Sequence, residues 1–224
     1  MENSIEKVVL ETEAIKLVGK YGIPYPNHKL AQSADEAGKL ASSMVYPVVL
    51  KIVSPDISHK SDAGGVVLNL NNSQEVEQGY RDLTDSISVN FPTAEIRGVL
   101  VCEQADEGLE LIVGALHDAV FGPTIMFGLG GIFTEVFEDI SFRIAPIKRI
   151  DAEEMVQEIK GIKILEGIRG QAPKDKDALI ELLMSVSRMI TEEKGLKELD
   201  LNPVRLYEKG LLALDARIIQ GEEI

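Results

Sequence analysis

The sequence predicts an α+β protein built as two lobes, and three observations predict it. Helix-period segments and short β-branched runs are interleaved up to about residue 95, closely spaced strands with glycine-bearing turns follow from Ile96, and no internal repeat or low-complexity stretch interrupts either part. The expected lobes are residues 1–95 and 96–224, with a hinge over residues 91–98. With 45% hydrophobic and 27% charged residues in a chain of 224, there is apolar mass for two cores, and disorder is disfavoured.

The elements follow in order. Val8, Leu10, Ala14, Leu17 and Val18 recur at helical spacing, and Gly19, Gly22 and Pro24 stop the segment, so an opening helix is expected. Ser33-Ala34-Asp35-Glu36 has capping-box spacing and predicts a second helix to about Ser43. Residues 48–53 are short, β-branched and bounded by prolines, as a buried strand is, and residues 65–70 read as the returning strand. Residues 73–88 place Val76, Tyr80, Leu83 and Ile87 on one side of a helix. Further strands are expected at 96–103, 110–116, 124–127 and 132–137, and helices at 152–159 and 177–193. Residues 199–207 and 211–218 flank Lys209-Gly210 as a β-hairpin.

Composition narrows the function. Lys and Arg number 23 against 37 Asp and Glu, a formal charge of −14, so a broad surface for nucleic acid or anionic lipid is disfavoured and any bound phosphate must meet a local basic pocket. Cys102, the single cysteine, cannot form an intrachain disulfide, and a cytoplasmic home is expected. The N-terminal residues lack the basic flank and apolar centre of a signal peptide. The most apolar stretch, 119–133, is broken by Pro123 and four glycines, whereas a membrane span needs about 20 apolar residues, so no membrane association is expected.

Two segments carry candidate chemistry. In Glu198-Leu199-Asp200-Leu201-Asn202-Pro203, strand alternation puts Glu198, Asp200 and Asn202 on one face, and counting back across the hairpin places Asp215 opposite Asn202. Such oxygens suit Mg2+, which takes few protein ligands and completes its shell with water and phosphate; a merely solvated polar face is the bland alternative. The loop 54–65, Ser-Pro-Asp-Ile-Ser-His-Lys-Ser-Asp-Ala-Gly-Gly, ends in Gly64 and Gly65, whose backbone amides can approach an anion. Its His59 is a candidate phosphoryl acceptor assisted by Lys60 or Lys51, or else a solvent-exposed loop histidine.

Lys51 stands mid-strand among apolar residues and must reach solvent, pair with an acid or meet an anion, unless the strand is an edge. Glu103 and Glu110 bracket a turn and offer acceptors to an adenine amine and a ribose diol. The turn Phe127-Gly128-Leu129-Gly130-Gly131 has no long helix directly after it and is therefore not a phosphate-binding P-loop. Arg143 is read either as a phosphate clamp or as an exposed strand arginine, and Arg169 is equally open.

Together, Lys51, the 54–65 loop, Glu103 with Glu110, Phe121-Gly122-Pro123, the Gly128 to Gly131 turn, Glu198 to Pro203 and Asp215-Ala216-Arg217 resemble the ATP-grasp β subunits of ADP-forming acyl-CoA synthetases, relatives of succinyl-CoA synthetase β. The resemblance implies an ATP-grasp fold, two α+β lobes with the nucleotide between them. It implies ATP or ADP and Mg2+ as cofactors, with Lys51 near the phosphates, the Glu103 to Glu110 segment on adenosine, and Asp200, Asn202 and Asp215 on the metal. His59 matches the loop histidine implicated in this family as a second phosphoryl carrier. A CoA-binding α subunit, in a heterotetramer of two α and two β subunits, is the implied partner. Because the chain ends shortly after Arg217, it should be incomplete as a catalyst, and its loop lacks the basic glycine pattern of succinate-specific β subunits. A carboxylate–amine ligase working alone and a nucleotide-binding regulatory module without turnover are the alternatives.

Overall fold

The computed structural model describes residues 7–57, 59–131, 138–168, 170 and 172–221. The expected strand at 132–137 and Arg169 lie outside the described residues. Strand β1 (Lys7–Val9) leads directly into helix α1 (Glu11–Lys20), which buries Ala14, Ile15 and Val18 and stops at Tyr21 and the left-handed Gly22. The opening helix is thus shorter than expected, because Val8 belongs to a strand.

The smaller of two compact units spans Pro26–Asp106. It contains β2 (His28–Ala31), α2 (Ala34–Ala41), β3 (Val48–Val53), β4 (Val66–Leu70), α3 (Ser73–Asn90) and β5 (Gly98–Glu103), with an antiparallel sheet in the order β2-β5-β3-β4. The Ser33 hydroxyl accepts the Glu36 amide at 3.2 Å, while the Glu36 carboxylate reaches one residue past the expected box to accept the Gln32 amide at 2.7 Å. Val48, Leu50 and Ile52 of β3, with Val99 and Val101 of β5, bury one sheet face with Ala37, Ala41, Val76, Leu83 and Ile87 of the helices. Each fully buried aliphatic side chain of this kind is worth roughly 1.5–3 kcal/mol.

The larger unit joins Met1–Tyr25 to Glu107–Ile224. Its strands are β1, β6 (Leu109–Asp118), β7 (Gly122–Leu129), β8 (Ile140–Ile144), β9 (Leu196–Leu206), β10 (Leu211–Ala213) and β11 (Arg217–Gln220). Among the described residues they form one antiparallel sheet in the order β1-β11-β9-β6-β7-β8, with β10 also on β9. Helices α4 (Arg149–Glu158), α5 (Ile162–Leu165) and α6 (Lys176–Glu192) complete the unit. Leu179, Leu183, Val186 and Ile190 of α6 share a core with Leu111 and Val113 of β6, Ile125 and Phe127 of β7, and Leu199 and Leu201 of β9.

This division departs from the boundary expected at 95/96. β5 pairs with β2 and β3, which keeps residues 98–103 in the smaller unit, and β1 pairs with β11, which carries residues 7–9 to the larger one. The expected hinge at 91–98 is also replaced: the Glu95 amide donates to the Asp56 carboxylate at 2.7 Å and the Arg97 amide to the Val53 carbonyl at 2.8 Å, both inside the smaller unit. Among the described residues, no helix is long and apolar enough to cross a membrane.

Candidate functional site

The larger sheet has a helix-covered face and an opposite face, and β9 shows the split residue by residue. Leu199 and Leu201 are almost wholly buried in the core, while Glu198, Asp200 and Asn202 line a cavity of about 280 Å³ on the other side. The rest of that cavity is mainly apolar, with Ile112, Gly114 and Leu116 from β6, Thr124 and Met126 from β7, and Phe142 from β8. One row crosses four strands: Asp200 pairs with Gly114, Gly114 with Met126, and Met126 with Phe142. Asp200 and Asn202 thus stand at the polar margin of an apolar floor.

The hairpin arithmetic also appears in the register. Leu211 pairs with Leu206 and Ala213 with Val204; after a break at residues 214–216, Arg217 pairs with Asp200 and Ile219 with Glu198 in the same count. The Leu214 amide donates to the Pro203 carbonyl at 2.9 Å, so Asp215 follows opposite Asn202. Asp215 is not among the cavity's walls; its Oδ1 accepts the Ala216 amide at 2.9 Å. Arg217 donates to Glu198 at 2.6 Å and offsets one of the local carboxylates. Among the described residues, no group of three or more His, Cys, Asp or Glu side chains forms a dedicated metal cage. Two carboxylates and an amide oxygen nevertheless fit a Mg2+ that takes most of its shell from phosphate and water.

In the smaller unit, β3 is interior, between β5 and β4, so an edge-strand explanation for Lys51 does not apply. Lys51 is 9% exposed, on the face turned from α2 and α3, and is engaged rather than free. Gly65 is held against the strand: its carbonyl accepts the Ile52 amide at 2.8 Å and its amide donates to the Lys60 carbonyl at 2.6 Å. A Cβ on Gly65 would come within 2.6 Å of Ile52 Cγ2, and Gly64 has a φ of +70°, so Gly65 is required by its packing against Ile52 and Gly64 by its backbone conformation. The loop presents His59 to solvent while burying Lys60.

Two expectations change. Glu103 and Glu110 do not bracket a turn of one lobe: Glu103 ends β5 in the smaller unit and Glu110 lies on β6 in the larger. Glu103 Oε1 accepts the Val45 amide at 3.0 Å and the Asn27 side-chain amide at 2.9 Å, and these bonds, the Val45 one foremost, lower its pKa. Glu110 Oε1 accepts Arg205 Nη2 at 2.9 Å. Arg143, expected as a phosphate clamp or an exposed strand arginine, has its guanidinium forked onto Glu158, with Nη1–Oε2 at 2.8 Å and Nη2–Oε1 at 2.5 Å.

Comparisons with known proteins give the family. The ATP-grasp domain family matches residues 2–219. The β subunit of acetate–CoA ligase [ADP-forming] I from Pyrococcus furiosus is 44% identical over 211 residues, covering 94% of this chain and 91% of its own length. The chain belongs to this ATP-grasp β-subunit family. Acetate–CoA ligase [ADP-forming] I of Archaeoglobus fulgidus is also 44% identical, over the whole of this chain, which spans only 33% of that longer relative. Acetyl-coenzyme A synthetase 1 of Ca. Korarchaeum cryptofilum, solved with coenzyme A, Ca-AMPCP and HgCl+, superposes with a TM-score of 0.93 at 48% identity, covering 96% of this chain and 93% of that one. Another complex of that protein, with coenzyme A and Mg-AMPPCP and its phosphohistidine segment pointing towards the nucleotide binding site, gives a TM-score of 0.83 at 45% identity, with the same coverage.

Within this ATP-grasp chain, the apolar half of the cavity is what sequence reasoning missed. A signal was present: β6 is apolar at Leu111, Val113 and Ala115, which face the core, and again at Ile112 and Leu116, which do not. An interior strand that is apolar on both faces has a second surface to cover.

Proposed function

We propose that the chain is the nucleotide-binding β subunit of an ADP-forming acyl-CoA synthetase, acting with a CoA-binding α subunit in a heterotetramer of two α and two β subunits. The reaction is acyl-CoA + ADP + phosphate ⇌ carboxylic acid + CoA + ATP. The observation that carries this proposal is the division of β9, which commits two leucines to the core and sets Asp200 and Asn202 on an open cavity, with Asp215 next to Leu214, whose amide bonds the Pro203 carbonyl.

Asp200, Asn202 and Asp215 would hold Mg2+, which when bound neutralises nucleotide phosphate charge. Lys51 serves the phosphates; the Gly64 and Gly65 amides, expected to meet an anion, instead donate to the Ser61 carbonyl at 3.2 Å and the Lys60 carbonyl at 2.6 Å and so shape the loop. Glu103 and Glu110 serve adenosine; a carboxylate has about four lone-pair sites, so their internal bonds leave accepting capacity. Exposed His59 carries the phosphoryl group. The acyl phosphate made on the partner first phosphorylates the partner's own histidine; an imidazole nitrogen of His59 then attacks that phosphorus, and the new N–P bond forms as the partner's imidazole leaves. A terminal phosphate oxygen of ADP then attacks the same phosphorus, giving ATP and restoring imidazole.

Reconstitution with the α subunit tests this. Acetyl-CoA, ADP and phosphate should give ATP with the wild-type pair and none above background with His59→Asn. ATP formation by the variant at the wild-type rate removes the relay, and CoA-independent ligation of an acid to an amine by the chain alone favours the ligase alternative.

A further inference from the structure

Gly114 lies inside strand β6, where glycine weakens a sheet: it contributes no side chain and loses the most backbone freedom. The structural reasons that usually place glycine there are absent. Its backbone is not in the left-handed region. A Cβ would sit 3.5 Å from the Leu199 carbonyl oxygen and 3.6 Å from Met126 Cε, ordinary contact distances, so a side chain is not excluded by the fold. The register is also regular here, with the irregularity of β6 displaced to Leu111–Val113. What remains is the other common reason for a strand glycine, close approach by another molecule.

The surroundings indicate which molecule. Gly114 stands between Asp200 on one neighbouring strand and Met126 on the other, on the floor of the roughly 280 Å³ cavity. Neighbouring strands lie about 4.8 Å apart, so any side chain at position 114 would stand directly beside the carboxylate margin. A bare anion would be repelled there, whereas a phosphate chain carrying a divalent cation is attracted. The nearest side-chain atom to the bare position, after the Leu199 carbonyl oxygen, is the terminal methyl of Met126, whose flexible thioether can repack at low cost when a ligand enters.

We propose that Gly114 is a specificity-determining residue, kept without a side chain so that the cation-bound diphosphate end of the nucleotide can lie against β6 beside Asp200. The proposal rests on the nucleotide-binding function argued above.

Gly114→Ala and Gly114→Val in the full chain test it, through calorimetric titration with Mg-ADP and with AMP and through thermal unfolding without nucleotide. Gly114→Ala should melt at or above the wild-type temperature yet bind Mg-ADP more weakly, and Gly114→Val should lose about tenfold or more in affinity, as expected for an overpacked contact. The loss should be larger for Mg-ADP than for AMP, which lacks the terminal phosphate. If Gly114→Val does not fold, Gly114→Ala decides by the same comparison. Unchanged Mg-ADP affinity in a folded variant, or equal losses for the two nucleotides, overturns the role of Gly114 alone. A wild-type chain that ignores Mg-ADP overturns the nucleotide-binding function with it.

Discussion

Asp215 sits in the three-residue gap between β10 and β11, outside any strand, so its replacement removes a carboxylate without removing a ladder bond. The expected outcome for Asp215→Ala is an unchanged circular-dichroism spectrum with Mg-dependent ADP affinity lowered by about tenfold or more, as for loss of a group that holds or orients a metal. Equal Mg-ADP affinity in wild type and variant would remove Asp215 from the metal site. Lys51 gives a second test, because its strand is buried throughout while its ammonium is the only charge on it. Lys51→Met keeps much of the volume and removes the charge, so the fold should persist while nucleotide affinity falls. A lysine that served only to complete β3 would instead leave affinity untouched.

At the scale of elements, Arg143 of β8 braces the sheet against Glu158 of α4, and Ser141 donates to the same carboxylate at 2.7 Å. The Arg143 hydrogen bond and then the Ser141 one bring the Glu158 pKa down to about 2. A carboxylate whose folded pKa lies below its unfolded value stabilises the fold above the unfolded value and loses that contribution as pH falls through the folded one. The wild-type melting temperature should therefore carry a contribution that disappears between about pH 4.5 and 2, and Arg143→Met should flatten the profile in that window. Because Glu158 is half exposed, the effect is modest and should shrink in high salt. Arg143→Met should leave Mg-ADP affinity intact; its collapse would restore the phosphate-clamp role.

Elements with strong local signals were legible in the sequence. β3 matches residues 48–53, α3 begins at Ser73 as expected, and the register of the last hairpin followed from counting around Lys209-Gly210. β1 and β2 were not legible, for a physical reason. They are three and four residues long, and their partners are distant in sequence: Lys7 pairs with Gln220, and His28 with Cys102. Neither run is apolar enough to declare itself, so the ladder, not the propensity, makes the strand. The same distant pairings moved the unit boundary from 95/96, since a linear change of texture cannot show that β1 completes the sheet of the larger unit. At the site, alternation sufficed for Glu198, Asp200 and Asn202, whereas Arg143 needed Glu158, fifteen residues on, to reveal its partner.

For the molecule as a whole, a net charge of −14 leaves little general attraction for a nucleotide, so the binding proposed above has to rest on local features, for which Lys51 and a cation at the carboxylate margin are the proposed ones. The final step proposed above, from phosphohistidine to ADP, involves no CoA and no acyl group. Its reverse should therefore run on this chain alone. With Mg-ATP, the imidazole nitrogen of His59 attacks the γ-phosphorus, the bond from that phosphorus to the bridging oxygen breaks, and ADP leaves. Incubating the purified chain with ATP labelled in the γ-phosphate should attach label that is acid-labile and alkali-stable, absent from His59→Asn, and removed by added ADP as ATP. An amine ligase would consume ATP only with an acid and an amine and retain no label, and a regulatory module would bind nucleotide without exchange. If the wild-type chain binds Mg-ATP but acquires no label, phosphoryl transfer cannot be a property of this subunit, and the relay would have to be sought on the partner.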